Sequence, residues 1–99
     1  MQYELLISPT ALHESDTAYI YYEGQQPGLG HRFLLSLKAS YKKLSQTPQY
    51  YSYINFKKDF RNIKIKDFPF VIIYQILEDK VFVLRVFNTN RNPQVLKNL

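Results

Sequence analysis

The sequence predicts an α+β fold of two layers, in which an N-terminal strand and a helical hairpin pack on an antiparallel sheet. Helical apolar patterns fill most of the first half of the chain, and strand patterns follow one another in the second half. The run at residues 70–77 is almost entirely apolar, β-branched or aromatic. This composition is typical of a strand covered on both faces. We therefore expect it at the centre of the sheet, in the order strand, helix, helix, strand, strand, strand.

The first strand and the first helix are predicted at residues 3–8 and 9–23. Residues 3–8 are rich in β-forming types, and Ser8 can cap a helix whose first residue is Pro9. The glycine- and proline-rich segment 24–30 ends the helix and turns the chain. The stripe expected to face the core has a spacing of three or four residues and comprises Leu12, Ser15, Ala18, Tyr19 and Tyr22.

The second helix is predicted from about Leu29 to Gln46 and ends at Thr47-Pro48. Lysines lie on its exposed side. Together with the first helix it forms the predicted hairpin. Its buried stripe is expected to comprise Phe33, Leu34, Leu37, Tyr41 and Leu44.

Three strands are predicted in the second half of the chain. Residues 60–66 alternate, so that Ile63 lies on one face and Lys64 on the other, basic face. The central run, residues 70–77, is joined to the apolar run 80–87 by Glu78-Asp79. We predict a tight hairpin there, although the pair lacks the glycine of the strongest hairpin signals.

The segment 49–59 has neither helical nor strand periodicity. It contains Tyr50, Tyr51, Tyr53 and Phe56, followed by two lysines. We interpret it as a loop whose aromatic side chains cover the edge of the core. Stacking of these tyrosines on nucleic-acid bases is the alternative.

Length and composition limit the classes of protein. The 99 residues fit one domain spanning residues 1–99. A net charge of +5 favours an anionic partner, either nucleic acid or an acidic protein segment. The chain has no cysteine, no run long enough to span a membrane and no basic secretory N-terminus, so we expect no membrane association and a cytoplasmic location.

Few residues fit known catalytic or metal-binding patterns. His13 and His31 lie on separate predicted helices without metal-ligand spacing, so we expect no metal and no cofactor. Gly28-Leu29-Gly30 lacks the third glycine of a dinucleotide fingerprint. What remains is a basic surface, which could hold phosphates, receive the carboxylates of a partner, or be a solvated face. Its members are Arg61, Lys64, Lys66 and Arg91.

Motifs along nearly the whole chain resemble the RelE/ParE superfamily of bacterial toxins, the stable halves of toxin-antitoxin or plasmid-stabilisation modules. The resemblance is carried by Ser8-Pro9-Thr10-Ala11 at the start of the first helix, by residues 28–33, by residues 61–65, by residues 68–74 and by residues 83–93.

The chain departs from the nuclease branch of this superfamily. It resembles the ribosome-dependent RelE nucleases at Lys64 and Arg91, but Val71 stands where they have an arginine, and no Tyr or His follows Arg91. Asn88 occupies a position that is commonly histidine in the ParE-like pattern. The missing nuclease groups favour a ParE-like toxin without enzymatic activity of its own.

The resemblance implies that DNA gyrase is the target and that a cognate antitoxin neutralises the toxin, in a hetero-oligomer of the two. An mRNA endonuclease that acts on the ribosome is the first alternative, with Lys64, Arg91 and Arg61 as its catalytic residues. A basic nucleic-acid-binding module without toxicity is the second. The residues expected to contact the target or the antitoxin are Arg61, Lys64, Lys66, Asn88 and Arg91.

Overall fold

Two helices pack on one face of a four-stranded sheet in a computed structural model that describes residues 2–54 and 59–91. The predicted element order is confirmed. The elements are β1 (Glu4–Ile7), α1 (Pro9–Gln25), α2 (Leu29–Gln46), a short 3-10 turn (Pro48–Tyr50), β2 (Arg61–Lys64), β3 (Phe70–Leu77) and β4 (Lys80–Asn88).

The sheet is mixed, with strand order β1-β4-β3-β2. β2, β3 and β4 are antiparallel to one another, as predicted, whereas β1 pairs in parallel with β4. A parallel pair needs a long crossover connection, and here both helices and two strands separate β1 from β4. The two-residue connection Glu78-Asp79 forms the predicted hairpin, and Glu78 adopts a left-handed conformation with φ 57°.

A bulge in β4 brings more of its apolar residues to the core. Ile73 pairs with Arg85 but Tyr74 pairs with Val83, which leaves Leu84 as an extra residue. Because of this insertion, Val83 and Val86 both face the helices although they are three residues apart, and both are buried. The bulge explains why this strand is apolar without regular alternation.

The central strand is buried on both faces, as its composition predicts. Ile72 and Tyr74 face the helices and are fully buried. Ile73 lies on the opposite face by alternation and is also fully buried. The β3 strand therefore has no solvent-exposed face in its middle.

The two helices bury different kinds of side chain. α2 buries Phe33, Leu37 and Leu44, which confirms most of its predicted stripe. α1 instead buries small residues, namely Ala11, Ser15 and Ala18. The expectation that Leu12 is buried was wrong, since 52% of Leu12 is exposed. Small side chains allow α1 to lie close to both α2 and β4.

The loop predicted over residues 49–59 is described only in part, since residues 55–58, including Phe56, lie outside the described residues. Its interpretation as cover for the core holds for Tyr51, which packs against the core. It does not hold for Tyr50, which is 81% exposed.

The helix starts use side-chain oxygens that the sequence supplies nearby. Ser8 caps α1 and accepts a hydrogen bond from the Ala11 N–H at 3.0 Å, as predicted. At the start of α2, the Glu23 carboxylate accepts hydrogen bonds from the Gly28 and Gly30 N–H groups, each at 3.0 Å. A helix N-terminus favours an anion, and in this protein a carboxylate of the preceding helix fills that position.

The two helices approach each other closely at Gly30. A Cβ atom at this position would lie 2.7 Å from the Tyr19 carbonyl oxygen and 2.9 Å from the Glu23 side chain. Gly24, near the end of α1, would place its Cβ in open space. Of these two glycines, only Gly30 therefore has a steric reason to lack a side chain.

We expect Gly30→Ala to destabilise the protein by about 1–3 kcal/mol, because the backbone oxygen of Tyr19 cannot move without separating the helices. Gly24→Ala is the matched control and should raise the free energy of unfolding by about 0.5–1 kcal/mol through better helix propensity. Urea unfolding followed by circular dichroism measures both. Equal stability of the two variants would contradict the close approach at Gly30.

We also expect the Glu23 carboxylate to make stability depend on pH. The Gly28 N–H, together with the N–H of Gly30, holds the pKa of Glu23 below its ordinary value. Its contribution is therefore complete above the unfolded-state pKa of about 4.3 and is lost as the pH falls through the lower folded-state value.

Glu23→Gln should thus lower stability at neutral pH, and the difference from the parent should shrink as the pH approaches about 3. Glu4→Gln, an exposed carboxylate on β1, is the control. Unfolding measured at several pH values tests this prediction. A parent-to-variant difference that stays constant down to that pH would show that the carboxylate charge does not stabilise the helix start.

Candidate functional site

The structure divides the predicted basic site between two clefts. Lys64 lines one cleft, beside the segment that Arg61 holds. Asn88 and Arg91 line another. Lys66 is exposed in the turn after β2 and lines neither. The five candidate residues therefore do not line one cleft.

The cleft lined by Asn88 and Arg91 lies between α1 and the C-terminal half of β4, and we call it the α1–β4 groove. It has a volume of about 580 Å³. Its walls are largely apolar and include Ala18, Tyr22, Val86 and Phe87. The groove is further lined by His13, Glu14, Thr17, Tyr21, Pro69, Phe70, Asn88, Asn90 and Arg91.

The groove exists because β1 is shorter than β4. β1 pairs only as far as Val83, and the chain then turns at Ser8 into α1. The Ser8 N–H donates to the Val83 carbonyl at 2.9 Å and its hydroxyl donates to the Leu84 carbonyl at 2.8 Å. Beyond Leu84 no strand flanks β4 on this side among the described residues.

Glu14 of α1 supplies hydrogen-bond acceptors at this unpaired part of the β4 edge. Its Oε1 accepts the Val86 N–H at 2.9 Å, and its Oε2 accepts Nε and Nη2 of Arg85 at 2.9 and 2.6 Å. The hydrogen bond to Glu14 raises the pKa of Arg85. One carboxylate thus accepts hydrogen bonds from the backbone of β4 and from an arginine. Among the described residues, Glu14 is the only carboxylate that lines the groove.

A short turn places Arg91 at the open end of the groove. The Asn88 side-chain oxygen accepts the Asn90 N–H at 2.9 Å, and the Asn88 carbonyl accepts the Arg91 N–H at 3.1 Å. Arg91 is exposed and forms no ion pair with the described residues. The groove therefore combines apolar walls with a cation available to a partner.

The cleft lined by Lys64 lies between the end of α2, the 3-10 turn and β2, and we call it the tyrosine cleft. It has a volume of about 560 Å³. Its lining comprises Lys43, Tyr50, Tyr51, Ser52, Asn62, Ile63 and Lys64.

Arg61 fixes the segment that forms one wall of this cleft. Its Nη1 donates to the carbonyls of Gln49 and Tyr51 at 3.0 and 2.6 Å, and its Nη2 donates to the Tyr53 hydroxyl at 2.7 Å. The guanidinium also lies 4.0 Å from the centre of the Tyr53 ring. The structure thus places Arg61 in internal contacts, where sequence reasoning predicted a partner-binding residue.

Tyr74 on β3 also holds the segment around Tyr50. Its hydroxyl donates to the Pro48 carbonyl at 2.5 Å across 26 residues of sequence. Burial raises the pKa of Tyr74 above the ordinary tyrosine value, so the hydroxyl stays protonated and remains a donor. Tyr74 and Arg61 together hold the backbone on both sides of Tyr50.

Sequence reasoning missed the pairing of Glu14 with Arg85. The spacing of the apolar residues in the first helix places Glu14 off the buried stripe, and this predicts a solvent-exposed carboxylate. The available signal was Arg85, the only charged residue in the apolar run 81–87, because a charge in such a run requires a partner.

No group of three His, Asp or Glu side chains within residues 2–54 and 59–91 could hold a metal ion. In the same part of the chain, neither helix is long and apolar enough to cross a membrane.

We expect Arg61→Ala to lower the free energy of unfolding by about 1.5–3 kcal/mol, since it removes charge-assisted hydrogen bonds to three oxygens. Lys64→Ala on the same strand is the control and should change stability by about 0.5 kcal/mol or less, because Lys64 is exposed. Chemical denaturation of both variants measures this difference. If Arg61→Ala unfolds like Lys64→Ala, the guanidinium does not hold the loop.

Comparison with models of known families identifies one family. The sequence matches the family model described as "ParE toxin of type II toxin-antitoxin system, parDE" over residues 5–93. Comparison with curated protein sequences gives no match. Among solved structures, the fold is similar to a chain of the "Chromosomal ParDE TA system from P. aeruginosa", with a TM-score of 0.77, 16% sequence identity, and coverage of 88% of this chain and 96% of that one. This chain therefore belongs to the ParE toxin family of type II toxin-antitoxin systems.

Proposed function

We propose that this ParE-family protein arrests bacterial growth by inhibiting DNA gyrase in the cytoplasm, and that a cognate antitoxin neutralises it in a hetero-oligomer. Membership of the family supports the toxin role. The observation that Lys64 and Arg91 line different clefts supports an action other than RNA cleavage.

The nuclease alternative needs several groups around one phosphate. General acid-base and electrostatic catalysis require side chains within hydrogen-bond reach of the reacting atoms. Lys64 and Arg91 line different clefts, and the Arg61 guanidinium already donates to three oxygens. This arrangement supports an action through binding to the target protein.

The α1–β4 groove is the surface that we assign to the antitoxin. Tyr21 is 60% exposed at its rim, and Ile20 beside it is 68% exposed. An amphipathic segment can bury these side chains against the apolar walls, while a carboxylate on its polar face pairs with Arg91. Glu14 does not repel that carboxylate strongly, since Arg85 neutralises it.

Tyr21→Ala should weaken antitoxin binding about tenfold or more, because it truncates an aromatic anchor at the rim of the groove. The control is Leu35→Ala on α2, a similarly exposed residue at 54% that does not line the groove. Binding to the protein encoded by the neighbouring reading frame, measured by titration calorimetry, compares the two. Equal losses in both variants would place the antitoxin elsewhere.

The purified toxin should inhibit DNA supercoiling by gyrase and leave mRNA intact on translating ribosomes. Gel assays of plasmid supercoiling and primer extension on ribosome-bound mRNA test the two actions side by side. Cleavage of mRNA that is lost in both Lys64→Ala and Arg91→Ala would instead establish the nuclease.

A further inference from the structure

The tyrosine cleft combines a solvent-exposed aromatic ring with two lysines. Tyr50 is the most exposed large apolar or aromatic residue in the described part of the chain, at 81%. It shares the cleft with two lysines, Lys43 at the end of α2 and Lys64 on β2. Neither the fold nor the proposed toxin action uses this combination.

We propose that the tyrosine cleft binds single-stranded nucleic acid. Tyr50 stacks on one base, and Lys43 and Lys64 contact phosphates of the same strand. This function goes beyond gyrase inhibition and antitoxin binding and does not depend on either of them.

The backbone around Tyr50 is fixed before any ligand arrives. Tyr74 holds the Pro48 carbonyl, and Arg61 holds the carbonyls of Gln49 and Tyr51. The ring itself packs edge-on against Tyr51, with 5.1 Å between ring centres. A ring on a fixed backbone loses little conformational entropy when a base stacks on it, which favours binding.

The charges of the cleft favour a phosphate backbone. Among the described residues, its lining contains two lysines and no carboxylate. Several of the acidic side chains form contacts elsewhere, since Glu14 pairs with Arg85, Glu23 bonds to the start of α2, and Asp79 pairs with Lys80. The two lysines can therefore contact phosphates, since no described lining residue of the cleft would repel them.

A single strand fits these features better than a duplex or an acidic peptide. Bases of a duplex are stacked on one another and cannot reach an exposed ring, whereas an unpaired base presents its face. An acidic peptide would use the lysines but would have no need of Tyr50. The ring and the lysines together thus identify a strand with accessible bases and phosphates.

Fluorescence anisotropy with the purified full-length chain and a labelled oligothymidylate of about 10 nucleotides tests the proposal. We expect binding at low salt, with a slope of log K against log salt near −0.7 for each phosphate contacted. Tyr50→Ala should lower the affinity by about tenfold, and Tyr50→Phe should restore it because the stacking face remains. Lys64→Gln should reduce the slope by about 0.7.

Matched controls separate this site from general attraction to a basic protein. Tyr21→Ala removes an exposed tyrosine of the α1–β4 groove, and Lys38→Gln removes a lysine of α2 outside the cleft. Both should bind the oligonucleotide nearly as the parent does. The proposal is overturned if these controls lose as much affinity as Tyr50→Ala, if Tyr50→Ala binds like the parent, or if duplex DNA or polyglutamate binds as tightly as the single strand.

Discussion

The difference in length between β1 and β4 is the constraint on which much of this structure depends. β1 ends at Ile7, whereas β4 continues to Asn88, and polar groups on the unpaired edge need partners. Ser8 and Glu14 supply them. Because Glu14 must reach the edge, α1 lies close against the sheet, and small residues along its buried side make this approach possible. Arg85 then balances the carboxylate, and the groove remains where the strand ends.

The sequence contained enough information for most of the fold. Local signals predicted the elements: Ser8-Pro9 began α1, Thr47-Pro48 ended α2, and the composition of residues 70–77 identified the central strand. Non-local features were harder. The parallel placement of β1 depends on where its partner lies rather than on its own residues. The burial of Ala11, Ser15 and Ala18 in place of Leu12 depends on how closely the helix approaches its neighbours.

The sequence predicted less of the candidate site than of the fold. A single basic surface was predicted from Arg61, Lys64 and Lys66 on one strand and Arg91 just past the last strand. In the structure, Lys64 and Arg91 line different clefts. Alternation places Arg61 on the same face of its strand as Ile63. It does not predict the acceptors of Arg61, which are carbonyls and a hydroxyl 8 to 12 residues earlier in the chain. Such contacts depend on loop conformation, and the segment 49–59 has no periodicity from which to infer it.

The contact of Glu14 with the Val86 N–H also affects how the molecule meets other chains. An open β-strand edge is a template on which identical or unrelated chains assemble into continuous sheets, and proteins commonly use charge to prevent this. Here an intruding strand would have to expel a carboxylate and leave Arg85 without its counter-ion. The same carboxylate that completes the fold therefore opposes the addition of a foreign strand at that point of the edge.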